Sequence, residues 1–318
     1  MGNINVAVVG GKDFAPSVGK KGTVTDVTFY EIKKGSDSVT LIEPSKYPEK
    51  LSSLFYAVSM SEYAILVVDA IDARLGETIV MLDAMGLDKG WIVLRNFIQK
   101  EQLAPLLAGT CLADYEHIED DDVKTREMLI SFAGTLSKVP GEGTCGSCPV
   151  DSHFNVKGVG TVVLGSVIDG YFKKHDKMRV LPLEKEIVLK SIQKHDIDSD
   201  FGYQGDHVGL ALRGIDSDEL DRGYVLTTDA SIKMSKSVSG KARMVKYWPA
   251  PVKEGMVLHV GHWMEMVPGR VESSSGDAKN PELRIALESP MIHKPGDTAL
   301  IMYLEGGKLR VMGSVPLE

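Results

Sequence analysis

A chain of 318 residues, 43% hydrophobic and 25% charged, carries enough apolar side chains for two or three buried cores. No apolar run approaches the ~20 residues of a membrane span, and Met-Gly-Asn leads directly into a strand-like run rather than a cleavable basic leader. Three cysteines fit a reducing, cytoplasmic compartment, and a net charge of −8 excludes general positive charge as a grip on DNA or any other polyphosphate.

In chain order, INVAVV (4–9), VTDVTFYEI (24–32), VTLIE (39–43), AILVVDA (64–70) and WIVL (91–94) are short β-rich runs. PEKLSSLFYAVSMS (48–61) and ETIVMLDAMG (77–86) space their apolar residues as helices do. A further helix over VKTREMLISFAG is expected to be capped by the acidic run EDDD. Strands alternating with helices imply a mainly parallel α/β sheet over residues 1–138. KVPGEGTCGSC (138–148) then reads as a linker. Beyond it, short strands separated by Gly-, Asp- and Lys-rich turns predict two all-β barrel domains, residues 145–229 and 230–318.

The second block carries a specific signal. Phe154, Val156, Gly158, Gly160, Thr161 and Gly165, then Arg213, Gly214, Arg222 and Gly223, fill the F-x-I-x-G-x-G-T-V-x-x-G and L-R-G…R-G-x-V-L patterns at the expected separation. On these residues the chain resembles the second domain of translation elongation factors. AILVVDAIDARLGETIVMLDAMGL is similar to the strand and helix after switch II of these GTPases. LHVGHWMEMVPGRVE (258–272) and Gln193 resemble SelB, the selenocysteine branch, more than elongation factor Tu. The chain also resembles the SelB-like pseudo-translation factors of methanogenic archaea, which are linked to pyrrolysine, an amino acid that nothing in these residues derives. The resemblance implies a P-loop-type G domain followed by two β-barrels.

GGKDFAPSVGKKGT (10–23) stands where the family places its phosphate loop, G-H-V-D-H-G-K-T. Laid ungapped, Gly10 and Asp13 match, but Ala15 takes the second glycine, Pro16 the lysine and Ser17 the threonine. Proline has neither an N–H for the phosphate cradle nor a cation. A register on Gly19-Lys20 puts Phe14 at the first glycine and Lys21 at the magnesium ligand. The magnesium-binding threonine position reads Val24, flanked by Thr23 and Thr25. The D-x-P-G-H motif becomes Glu43-Pro44-Ser45-Lys46-Tyr47, so Tyr47 replaces the water-positioning histidine and Lys46 the phosphate-sensing glycine. Arg95-Asn96-Phe97-Ile98 replaces N-K-x-D, and of the helix after the phosphate loop only residues 18–21 are expected to remain. The expectation is a degenerate, shortened G domain with no cofactor, GTP and Mg²⁺ entering only if a remnant site on Gly10, Asp13, Ser17, Lys20, Thr23, Thr25 and Lys46 still works.

The resemblance further implies an aminoacyl site in the second domain, carried by Asp151, Ser152, Phe154, His207 and, at the terminal adenine, Gln193. Phe154 offers a stacking face and Gln193 a hydrogen-bonding edge. Between Ala230 and Lys253 six cations, among them Lys241, Arg243 and Lys246, stand without one acid, around Tyr247 and Trp248. With His259 and His262 they are expected to face a tRNA. The expected partner is an aminoacylated tRNA and with it the ribosome. A GTPase with a rewired site, or an interaction module without tRNA, are the alternatives. Cys145-x-x-Cys148 beside His153 suggests redox or zinc chemistry, but a linker position and too few ligands argue against both.

Overall fold

The computed structural model describes residues 2–136 and 145–318; the expected linker lies largely outside them. The N-terminal part builds β1 (Asn3–Val9), α1 (Phe14–Val18), β2 (Lys20–Val24), β3 (Thr28–Lys34), β4 (Asp37–Glu43), α2 (Leu51–Ser59), β5 (Tyr63–Val68), α3 (Ala73–Ala84), β6 (Gly90–Leu94), α4 (Lys100–Leu107), β7 (Glu116–Ile118) and α5 (Asp122–Thr135). The strands form one sheet in the order β2-β3-β4-β1-β5-β6-β7, parallel from β4 to β7, with β2 and β3 added antiparallel. Both faces are covered, which is why β1 is buried along its whole length. Asp121 caps α5 by accepting from the N–H groups of Val123 and Lys124, as the acidic run suggested.

Three local readings are corrected. The run 24–32 is two strands folded at Thr25–Val27 rather than one. The phosphate-loop helix survives as α1 at 14–18, not at 18–21, and Lys20 and Lys21 already belong to the edge strand β2. A fourth helix, α4, had no expectation; a Gln99–Gln102 capping box starts it despite Pro105 inside.

The second part contains β8 (Ser147–Val156), β9 (Gly160–Ser166), β10 (Tyr171–Lys173), β11 (Lys177–Leu181), β12 (Lys185–Lys194), β13 (Ile197–Ser199), β14 (Phe201–Tyr203), β15 (His207–Arg213) and β16 (Val225–Thr227). Six of these close a barrel, β11-β16-β8-β9-β15-β12, because β12 pairs back onto β11. The third part, β17 (Lys233–Lys241), β18 (Arg243–Met244), β19 (Val257–His262), β20 (Glu265–Asp277), β21 (Asn280–His293), β22 (Thr298–Met302) and β23 (Val311–Pro316), is a curled seven-stranded sheet. The segment from β17 to β18 draws its ends together, since β17 pairs with β21 and β18 with β23.

The core under α2 and α3 does not stop at the domain boundary. Phe55, Leu54, Ile79 and Leu82 pack in one cluster with Leu300, Met302 and Val311 of the third part. A Cβ on Gly261 would lie 2.7 Å from both the Phe55 ring and the Met302 methyl, so this strand needs a glycine for the two bodies to touch.

Candidate functional site

At the carboxyl ends of the parallel strands a cavity of about 720 Å³ occupies the nucleotide position. Gly10 keeps its reason to be glycine: its φ is +94° and a Cβ would lie 2.3 Å from the Val67 carbonyl oxygen. The rest of the lining is predominantly acidic. Asp13, Glu43, Glu49, Asp69 and Asp72 face Lys12 and Arg74, and Arg74 is already bound to Asp72 at 2.9 Å. Burial, and then neighbouring Asp13, push the Glu43 carboxyl up, although Tyr30 donates a hydrogen bond to it at 3.1 Å. Pro16 lines the wall, and the Ser17 hydroxyl is spent on the Phe14 carbonyl at 2.8 Å. On the base side Arg95 forks onto Asp120 with two bonds of 2.9 Å and donates to the Lys12 carbonyl at 3.1 Å. Phe97 is 96% exposed in a left-handed conformation, and Asn96 donates to the Asp69 carbonyl.

The remaining remnant residues have left that cavity. Lys20 sits on the β2 edge, and Lys46 is paired with Asp26 at 2.7 Å. The Thr25 hydroxyl accepts from Val27 N–H at 3.4 Å inside the turn. Thr23 lines a different pocket, one the second domain shares.

That pocket, about 380 Å³, brings together Phe154, Gln193 and His207. Its walls are Val156, Val162 and Leu164, and the first domain adds Glu31 beside His195. The His207 ring stacks on Phe29 of the first domain, centroids 4.2 Å apart, and neither ring nitrogen has a hydrogen-bond partner. Burial drives its pKa down to about 4, so it stands there as a neutral imidazole. Gln193 donates to Asp198 at 3.0 Å. Glu31 lies 2.9 Å from His195 Nδ1, and this contact first of all holds its carboxyl below the ordinary range. Asp151 and Ser152 do not line the pocket. A register shift in β8 between Val150 and Ser152 turns Asp151 into the interior, 2% exposed, against Arg222. Glu31 and His195 were not foreseen, because nothing in TFYEIKK or QKHD marks a partner more than 160 positions away.

Residues 160–227 match the family "Elongation factor Tu domain 2". An uncharacterized protein of Methanocaldococcus jannaschii is 33% identical over 93% of both chains, and the selenocysteine-specific elongation factor of the same organism is 25% identical over 90% of this chain and 68% of its own. The crystal structure of translation elongation factor SelB from Methanococcus maripaludis, solved with the GTP analogue GppNHp, superposes with a TM-score of 0.83. It covers all of this chain and 79% of that one at 21% identity. The chain belongs to the SelB-like elongation factors.

In this SelB-like chain Asp26 and Lys46 of the first domain fasten it to Arg222 of the second. Arg222 of the second domain donates to Asp26 at 2.8 Å and to the Asp151 carbonyl at 2.9 Å, while Lys46 holds Asp26 from the other side. Burial pushes the Asp151 carboxyl up despite Arg222, whereas the Lys46 hydrogen bond, with Arg222 behind it, pulls Asp26 down. Replacing Arg222 by methionine therefore strands the Asp151 carboxylate beside Asp26, which is left to Lys46 alone. The cost is expected to be about 2–3 kcal/mol at pH 7. A carboxyl raised in the folded state destabilises it above its unfolded pKa, so the penalty is full at neutral pH and shrinks as pH falls toward 4. Denaturant midpoints at pH 7 and pH 4 measure this, and an equal penalty at both sinks it.

The third domain presents Lys241, Arg243 and Lys246 to solvent, with Lys246 over the Tyr247 ring at 5.4 Å. Arg243 and Lys246 border a cleft of about 600 Å³ against α3. His262 does not join this face: it is buried, bonded to the Ile292 carbonyl and 3.1 Å from Asp297. Cys148 is fully buried, which pushes its thiol up, and Cys145 is exposed. Among the described residues no group of His, Cys, Asp or Glu is placed to hold a metal ion, and no helix is long and apolar enough to cross a membrane.

Proposed function

We propose that this SelB-like protein binds an aminoacylated tRNA through its second and third domains and delivers it to the ribosome in the cytoplasm, with a first domain that has given up GTP binding and hydrolysis. The observation that carries the reading is the convergence of Phe154, Gln193 and His207 on one pocket. An aromatic face, an amide edge and a neutral imidazole suit a stacked base and an ester, and ask for no strongly basic protein. Lys241, Arg243 and Lys246 supply local phosphate contacts. The acidic lining of the cavity in the first domain supports the loss of GTP.

Titration of labelled aminoacyl-tRNA across a salt series tests this. Changing Lys241, Arg243 and Lys246 together to glutamine is expected to weaken binding about tenfold or more near 100 mM salt and to flatten the log–log salt slope by about two. Absence of saturable binding, or a triple variant that binds unchanged, overturns the reading in favour of a protein-interaction module.

A further inference from the structure

We propose that this protein associates with a second copy of itself, Phe97 of one copy entering the cleft between α3 and the third domain of the other. The inference goes beyond the tRNA reading and does not depend on it. Phe97 follows β6 and is 96% exposed, with a φ of +62° beside Asn96 at +53°. A bulky side chain seldom takes this left-handed conformation, and here the loop is held in it from several sides. The Arg95 N–H donates to the Val68 carbonyl at 3.1 Å, Asn96 Nδ2 to the Asp69 carbonyl at 2.9 Å and Gln99 Nε2 to the Phe97 carbonyl at 3.0 Å. The backbone that carries the ring is fixed in advance, so docking the ring costs little conformational entropy. The segments around it, 69–74, 95–98 and 119–124, carry six acids against Arg74, Arg95 and Lys124. An apolar knob on acidic ground fits an apolar socket with a basic rim.

The cleft has those two properties. α3 supplies Ile79, Val80 and Ala84 to its floor, and the third domain Met244, Val245 and Leu309. At about 600 Å³ it has room for a phenyl ring and the turn of chain that carries it. Arg243, Lys246, Lys279 and Lys308 stand on the same lining. Its two acids are already engaged: Glu77 holds Arg310 at 2.6 Å, and Asp83 accepts from the Cys111 N–H at 2.8 Å. Lys279 and Lys308 are exposed and, among the described residues, make no ion pair. Phe97 does not line the cleft of its own chain, so the socket is left for another molecule. Every copy therefore carries both halves of the contact on different residues, which makes it a heterologous one.

Sedimentation equilibrium of the purified chain, from about 5 to about 200 μM, tests this. At about 150 mM salt the Debye length of ~8 Å screens the repulsion between whole chains but not the contacts at the rim. Wild-type protein is expected to self-associate with a Kd of roughly 10–100 μM. Phe97→Ser is expected to weaken this at least about tenfold, and the double change Lys279→Glu with Lys308→Glu to do the same. All three side chains lie in solvent, so the melting temperatures are expected to stay at the wild-type value. An equimolar mixture of the two variants is expected to form a one-to-one complex, because the first keeps its cleft and the second its knob. Wild-type protein that stays monomeric throughout the range overturns the proposal and leaves Phe97 to a different partner. A variant that associates as the wild type does, or a mixture that stays monomeric, overturns it too. None of these outcomes touches the tRNA reading.

Discussion

Replacing Glu77 by alanine is expected to destabilise the protein by about 3–5 kcal/mol, the cost of leaving a buried cation without its partner. Glu77 lies on α3 and is 4% exposed. Its carboxylate accepts from Arg310 of the third domain three times: from Nη2 at 2.6 Å, Nε at 3.1 Å and the backbone N–H at 2.8 Å. Arg310 also donates to the Pro48 carbonyl at 3.0 Å and lies over the Tyr47 ring. The Tyr47 hydroxyl reaches Glu77 Oε2 at 3.2 Å and the Arg74 carbonyl at 3.0 Å. Burial pushes the Tyr47 phenol up, so it serves there as a neutral donor. Alanine would strand the guanidinium, the Arg310 N–H and the phenol together, in a seam already sealed by Leu300, Met302 and Val311. A fall in melting temperature of roughly 10 °C is expected, at about 2–4 °C per kcal/mol. The paired replacement Glu77→Leu with Arg310→Met should recover most of it, because well-packed apolar groups can replace a buried ion pair. A Glu77→Ala protein melting within 2 °C of wild type would show that the seam does not depend on this ion pair.

The same seam explains what the sequence could and could not reveal. β1 and β5 are legible as runs buried on both faces, and α5 through its acid cap, because each signal is local. The closed barrel is legible through Gly160 and Gly165 of β9 and through Gly214, just past β15. Local pattern fails where one residue changes a register. The shift between Val150 and Ser152 sends Asp151 to the opposite face of β8, and no spacing rule anticipates it. The meeting of Glu31 with His195 is beyond it too, since each sits on an ordinary polar position and only docking of two domains joins them. Lys46 and Tyr47 are an intermediate case. The sequence marks them as departures from the GTPase pattern, but only the fold gives them partners: Asp26 for Lys46, and Glu77 and Arg310 for Tyr47.

Those partners bear on the second large effect. Titration of GTP or GDP with Mg²⁺ into nucleotide-stripped protein is expected to give no saturable binding up to about 1 mM, which is less than about 4 kcal/mol of binding free energy. Affinity for a triphosphate needs backbone N–H groups aimed at it, a cation at the β and γ positions, and a hydroxyl for the metal. Pro16, at the lysine position, has neither an N–H nor a cation; Lys46, at the position of the phosphate-sensing glycine, is drawn to 2.7 Å from Asp26; and Ser17, at the hydroxyl position, is bonded back to Phe14. Asp13, Glu43 and Asp69 would stand against the phosphates, and the Asp120 carboxylate is already forked onto Arg95. Mg²⁺ could screen those acids, but it would then meet a tyrosine hydroxyl and carboxylates with no phosphate cradle behind them. Micromolar, Mg²⁺-dependent binding would sink this account and return the protein to a nucleotide cycle. Lys46 would then have to leave Asp26 whenever the nucleotide arrives, loosening the junction that Arg222 now holds. The cost of opening that junction is then contained in the nucleotide's affinity, and the bound form still melts above the free one, by the margin that linkage sets.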